Sequence, residues 1–160
     1  MQPKHSPRNP EDLRFPRLTL RGLAGILWAL PLSLLGLFLA VPVLCLRGQC
    51  SLVPVLRLAG AGRQAPALLV RGRAADFLLA RHPFGAMQAM AIGHVIIAER
   101  AALSRRLLVH EMVHVAQAAR WGPLFPFAYV GASLVAICRG RNAYWDNAFE
   151  VAARRAEQHA

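Results

Sequence analysis

Between Leu23 and Leu46 the chain runs LAGILWALPLSLLGLFLAVPVLCL, 24 residues without a charge. At about 1.5 Å per residue, such a segment reaches across a hydrocarbon core of roughly 30 Å. No other feature of the sequence limits the fold so strongly, and it predicts an N-terminal transmembrane helix over 23–46. Pro31 and Pro42 would kink or end a helix in water, but membrane spans tolerate proline where neighbouring groups satisfy the freed carbonyls. A cleaved signal peptide fits less well. A charged leader occupies 1–22, the run exceeds an ordinary h-region, and the first small-x-small sequence, Ala59-Gly60-Ala61, lies well downstream.

Charge around the run bears on orientation. The chain holds 19 Lys+Arg against 8 Asp+Glu, a net charge of +11. Lys4, Arg8, Arg14, Arg17 and Arg21 precede the run, whereas Arg47, Arg57 and Arg63 follow it. The positive-inside count therefore leans to a cytoplasmic N-terminus, with the remaining residues outside. The other arginines are dispersed. They suit a solvated surface or anionic lipid headgroups, and with no aromatic-basic interleaving and no helix-turn-helix pattern, nucleic acid is not an expected partner. A hydrophobic content of 56% excludes a disordered polyelectrolyte. Cys45, Cys50 and Cys138 are too few for a disulfide scaffold or a four-cysteine zinc module. Cys50 and Cys138 would pair in an oxidising compartment; otherwise all three are buried free thiols.

The remaining chain reads as one α+β domain over 47–160. Residues 1–22 hold four prolines and mixed charge, which suits an extended basic tail. Ser51–Leu58 and Ala67–Val70 are short strand-compatible runs, Ala75–Ala80 a helical turn or two, and Gly93–Ile97 a β-branched strand. A helix is predicted from an N-cap at Ser104 through RRLLVHEMVHVAQAAR to Trp121-Gly122-Pro123, where glycine caps and proline stops it. Leu124–Cys138 is apolar, broken by Pro126, and reads as a core or interfacial helix. A last helix is expected from near Asn142, carrying Tyr144, Asp146, Asn147, Glu150 and Glu157.

The sharpest motif is His110-Glu111-Met112-Val113-His114. On a helix, residues four apart stand one turn above each other, so both imidazoles point the same way at a separation one zinc ion bridges. Glu111 then stands beside the metal rather than on it, placed to take a proton from water. An open site needs a third ligand. Gln117 and Arg120 stand where the metzincin pattern requires Gly and His. A downstream carboxylate remains: Glu150, flanked by Ala148, Ala152 and Ala153 that permit close helix packing, with Asp146 and Glu157 as rivals.

These residues resemble the zincin metallopeptidases, in particular the gluzincin-like group, in which HExxH on one helix is completed by a glutamate on a later one. The resemblance covers 81–154, through RHPFG, GHVII, HEMVHVAQ, WGPLFPFAY and YWDNAFEVAAR, and the same order is similar to that of small bacterial membrane proteins. HExxH alone is moderately specific, and HExxHxxQ followed by NxFExxA more so. The resemblance implies a minimal zincin fold with a small sheet, Zn2+ held by His110, His114 and Glu150, Glu111 as general base, and the strand around His94–Ile97 as the edge that takes extended substrate. Many gluzincins carry Asp four residues after the ligand glutamate, where this chain has Arg154. Asp146 or Gln117 would then orient a ligand imidazole. Tyr144, Tyr129 and His94 are the candidates for stabilising the oxyanion.

The expected function is a membrane-anchored zinc-dependent metallopeptidase, a single-pass protein of a bacterial inner membrane acting on a peptide or protein, with the periplasmic side favoured. The competing expectation is a non-catalytic membrane protein with a structural metal site, or a basic membrane-surface adaptor. Glu111 discriminates, because a structural site has no use for a carboxylate between its histidines.

Overall fold

Pro31 divides the apolar N-terminal run. In the computed structural model, which describes residues 20–55, 66–81, 85–101 and 103–159, the run forms two helices, α1 (Leu20–Trp28) and α2 (Leu30–Cys45), bent by 62° at the break between them. The single transmembrane helix expected over 23–46 is therefore corrected to a broken pair. Proline lacks the N–H for the helical ladder and its ring crowds the carbonyl four residues back, so a helix starts at Pro31 more readily than it passes through. Pro42 lies inside α2, which continues past it to Cys45. Of the predicted tail, residues 1–19 lie outside the described residues, as do Gly60, Gly62 and His82, whereas 20–22 belong to α1.

The chain continues through β1 (Gln49–Val53), β2 (Ala67–Arg71), α3 (Arg73–Ala80), β3 (Ala89–Ile92), β4 (Val95–Ala98), α4 (Arg105–Trp121), a 3-10 turn (Gly122–Leu124), α5 (Phe125–Cys138) and α6 (Ala148–Gln158). The architecture is α+β. The four strands are ordered β1-β2-β4-β3, with β2 and β4 parallel and the two outer pairs antiparallel. Alternation sends one set of side chains to each face. Leu69, Ile96 and Ala98 meet Met112 and Val115 of α4, while Val70, Val95 and Ile97 meet Ala40 and Val43 of α2 and Ala75 and Leu79 of α3. Helices thus cover both faces of the sheet, and α2 is part of the domain core.

β4 is wholly buried and has a partner on each side, so it has no free edge. The edge expected around His94–Ile97 is instead β3, a strand the alanine- and methionine-rich sequence did not signal. Gly93 and His94 form the turn between the two. The Glu99 N–H donates to the Gln88 carbonyl at 2.9 Å. In the antiparallel register this makes Met90–Ile97 and Ile92–Val95 the hydrogen-bonded pairs, and Ala89 and Ala91 turn their backbone groups outward.

α4 begins as predicted, with the Ser104 hydroxyl accepting from the Leu107 N–H at 3.1 Å. Its stop differs. The 3-10 turn leads directly into α5, with Pro126 in the first turn of α5 rather than breaking it. Among the described residues, the one unbroken helical stretch long and apolar enough to cross a bilayer is therefore Arg105–Cys138. Within it α4 is enclosed by protein, whereas α5 buries Ala136 and leaves Phe127, at 76%, and Leu134 exposed. α2 likewise exposes Leu34, Leu35 and Phe38. Trp28 lies against Gly122 at the α4–α5 junction. Cys45, Cys50 and Cys138 are free and exposed, so neither the pairing nor the buried thiols expected of them are found.

Two glycines lock α2 to the β3–β4 turn. A Cβ on Gly36 would stand 2.6 Å from the Ile92 carbonyl oxygen. Gly93 has φ +61°, and a Cβ there would stand 2.4 Å from the Ser33 nitrogen. Ser33 in turn accepts from the His94 N–H at 3.0 Å and donates to the Ala29 carbonyl, also at 3.0 Å. Gly93→Ala is expected to destabilise the chain by about 1–3 kcal/mol, through strain and forced separation of α2 from the sheet. Thermal unfolding in detergent checks this, and an unchanged midpoint would contradict the contact.

Candidate metal centre

The valine- and alanine-rich α4 is gripped between the sheet and α6, and this holds the HExxH motif inside the protein. His110 and His114 are both buried on one face, with ring centroids 4.9 Å apart. Opposite them, α6 presents Glu150, which is 3% exposed. The His114 and His110 Nε2 atoms are 3.2 Å apart, Glu150 Oε1 is 3.2 Å from His114 Nε2, and Glu150 Oε2 is 3.4 Å from His110 Nε2. Donors about 2.0–2.1 Å from a tetrahedral ion lie about 3.3–3.4 Å from one another, so these three residues stand where one metal ion can be shared.

The tautomers point the same way. Gln117 Nε2 donates to the Phe149 carbonyl at 3.1 Å, which leaves its Oε1 to accept from His114 Nδ1 at 2.8 Å. The Glu157 carboxylate accepts from His110 Nδ1 at 3.3 Å. With a proton on each Nδ1, the neutral rings direct two bare Nε2 lone pairs at each other and at a carboxylate. Such a group is stabilised by a cation at its centre, a shared proton or a metal ion, and the chemistry of its donors fits a metal ion.

Glu150 is placed by its helix start. The fully buried Asn147 caps α6 by accepting from the Phe149 N–H at 2.9 Å, and its amide donates to the Tyr129 carbonyl at 3.0 Å and to Ser133 Oγ at 2.8 Å. The cap therefore ties α6 to α5 three residues before the ligand. The helix begins here and not near Asn142. Asp146, expected as a rival ligand or an imidazole partner, is exposed in the preceding turn and accepts from the Asn142 N–H at 3.0 Å. It has no contact with the histidines because the late start of α6 leaves it outside the helix. Asn147 was legible as part of NxFExxA, but its cap role was not.

Arg154 takes the place of the missing aspartate without its chemistry. Its Nη1 lies 3.7 Å from Glu150 Oε2, and its Nη2 donates to the Trp145 carbonyl. The Tyr129 hydroxyl donates to Glu150 Oε1 at 2.8 Å. Burial alone would raise the Glu150 carboxyl, but hydrogen bonds from His110 and His114 when their Nε2 atoms carry a proton, and from the Tyr129 hydroxyl, hold it well below the usual carboxylate range, so it is an anion at neutral pH.

Glu111 faces a cavity of about 300 Å³ shared with the ligand group. One carboxylate oxygen is satisfied by the Ala91 backbone on the outer side of β3, while Oε2 is buried without a partner among the described residues. Burial pushes its carboxyl above the usual carboxylate range against the pull of His114 and His110. Tyr129 and Tyr144 also line the cavity. Burial and then the negative Glu150 push the Tyr144 hydroxyl up to about 12, so it remains a donor. His94 does not line the cavity; its Nδ1 lies 3.2 Å from Ser33 Oγ under the α1–α2 bend. Compared with known family models, curated proteins and solved structures, the chain finds no match.

Gln117→Leu removes the acceptor that fixes the His114 tautomer while leaving the three donors in place. Divalent-metal affinity is expected to fall by about ten- to a hundredfold, measured by competition with a chromophoric chelator. Unchanged affinity would remove Gln117 from the site.

Proposed function

We propose that this chain is a membrane-associated zinc-dependent metallopeptidase with a gluzincin-like site, in which His110, His114 and Glu150 are the ligands and Glu111 is the general base. The observation that carries the reading is the mutual spacing of 3.2–3.4 Å among three donor atoms, two of them on imidazoles whose Nδ1 protons are turned outward by Gln117 and Glu157. Two imidazoles and one carboxylate suit zinc, and three protein ligands leave a position open. Bound there, zinc supplies a Lewis acid that polarises a carbonyl and lowers the pKa of water.

The chain's own residues then divide the work. Glu111 accepts a proton from the attacking water as its oxygen bonds to the amide carbon, and delivers that proton to the nitrogen as the C–N bond breaks. The products are a carboxylic acid and an amine. Tyr144, protonated and facing the cavity, donates to the developing negative oxygen. An extended peptide lies along β3, where Ala89 and Ala91 turn their backbone groups outward. A purely structural metal site gives no reason for a buried carboxylate aimed at the ligands without joining them, which favours the enzyme over the adaptor.

The exposed apolar faces of α2 and α5 support a membrane location, since a protein in water rarely exposes so much contiguous apolar surface. The basic residues before α1 favour a cytoplasmic N-terminus, and a reporter fused after Ala160 is expected to be active on the periplasmic side.

Protein purified in detergent is expected to hold about one equivalent of zinc and to lose it in His114→Ala. Glu111→Gln should keep the zinc and lose hydrolysis by about a hundredfold or more. Tyr144→Phe should lower kcat by about ten- to a hundredfold with KM little changed. Full activity in Glu111→Gln would overturn the proposed chemistry.

A further inference from the structure

The cavity beside Glu111 is walled by the two helices that carry much of the chain's exposed apolar surface. Leu32 of α2 forms one side, Phe125, Pro126 and Val130 of α5 the other, and Met90 and Ile92 of β3 lie between them. Trp28, at the end of α1, meets Gly122 just before α5, and Val130 both lines the cavity and is exposed on α5, so the lining is continuous with the exposed apolar face of α5. Apart from the three ligand candidates and Glu111, the polar side chains on the lining are the two tyrosines. Tyr129 is already engaged with Glu150. Among the described residues no arginine or lysine reaches the lining, although the chain carries 19 of them.

Such a wedge discriminates by burial. A charged substrate side chain would leave water and meet no counter-charge, which is strongly unfavourable. Each buried methylene gains about fourfold in affinity.

We infer that the substrate of this site is an apolar peptide segment embedded in the bilayer, which enters sideways between α2 and α5. The inference rests on the peptidase reading above and adds the substrate class and the route. A charged, water-borne peptide is the alternative.

The test uses the full chain, loaded with zinc and reconstituted in vesicles of phosphatidylethanolamine and phosphatidylglycerol. One probe is a leucine-alanine peptide of about 20 residues with lysine ends, long enough to span the bilayer. The other is a soluble peptide of alanine, lysine and aspartate. Cleavage is followed by mass spectrometry, with Glu111→Gln as the blank. The embedded peptide should be cleaved at least about a hundredfold faster, and lysine placed next to the mapped cleavage site should slow it by about tenfold or more. Val130→Asp sits on an exposed face of α5 and should reverse this local preference, favouring the lysine-containing peptide. Equal or faster Glu111-dependent cleavage of the soluble peptide would overturn the inference and leave the peptidase reading standing. Val130→Asp slowing both embedded peptides alike would overturn the assignment of the wedge as the substrate path. No Glu111-dependent cleavage of any probe would overturn the peptidase reading, and the inference with it.

Discussion

Two imidazole lone pairs and a carboxylate within 3.4 Å of one another repel unless positive charge sits among them. Much of the domain serves to bring this unfavourable group together and keep it there. α4 supplies both histidines one turn apart, the sheet and α6 enclose it, and Asn147 pins the start of α6 so that Glu150 faces the rings. Gln117 and Glu157 hold the outer nitrogens, which removes the freedom of either ring to turn its lone pair away. A donor group held in this way would receive a metal ion without rearrangement of its helices, and binding to the folded chain would then add to its stability.

The surroundings of that group are unusual for their polarity. The carboxylate of Glu111 borrows one hydrogen bond from β3 and otherwise faces a cavity whose lining, apart from the histidines, Glu150 and two tyrosines, is hydrocarbon. Low polarity strengthens each charge interaction at the site and raises the cost of any unpaired group brought into it. The same helices that make the cavity apolar on the inside make the protein apolar on the outside. The site and the exposed apolar surface are thus two sides of one packing solution, joined at the Trp28–Gly122 corner and locked by the Gly36 and Gly93 contacts to α2.

Much of the metal centre could be read directly from the sequence because it depends on local periodicity. Ser104 as N-cap, the helical repeat through His110 and His114, and Glu111 between them follow from spacing along one helix. Glu150 was accessible too, as the carboxylate flanked by alanines, although of these Ala153 is the one that is buried against the packing. Glu157 and Arg154 were harder to place. Their roles depend on the rotation of α6 about its axis, which one residue of difference in its start would change by about 100°. Asp146 falls outside the helix altogether, in the turn before the Asn147 cap.

The sequence by itself determined the α+β character, the HExxH helix and the concentration of apolar residues near the N-terminus and in 124–138, because helical period, capping and hydrophobic run length are local properties. Only the tertiary structure decided that the N-terminal run breaks beside Pro31 and packs on the sheet, that β3 and not β4 is the sheet edge beside α4, and that the third donor closes on the first two. Each of these depends on contacts between residues far apart in the chain. Whether an apolar helix meets lipid or a neighbouring strand, and which strand lies outermost, is set by the free energy of the whole packing and leaves no mark on the local pattern.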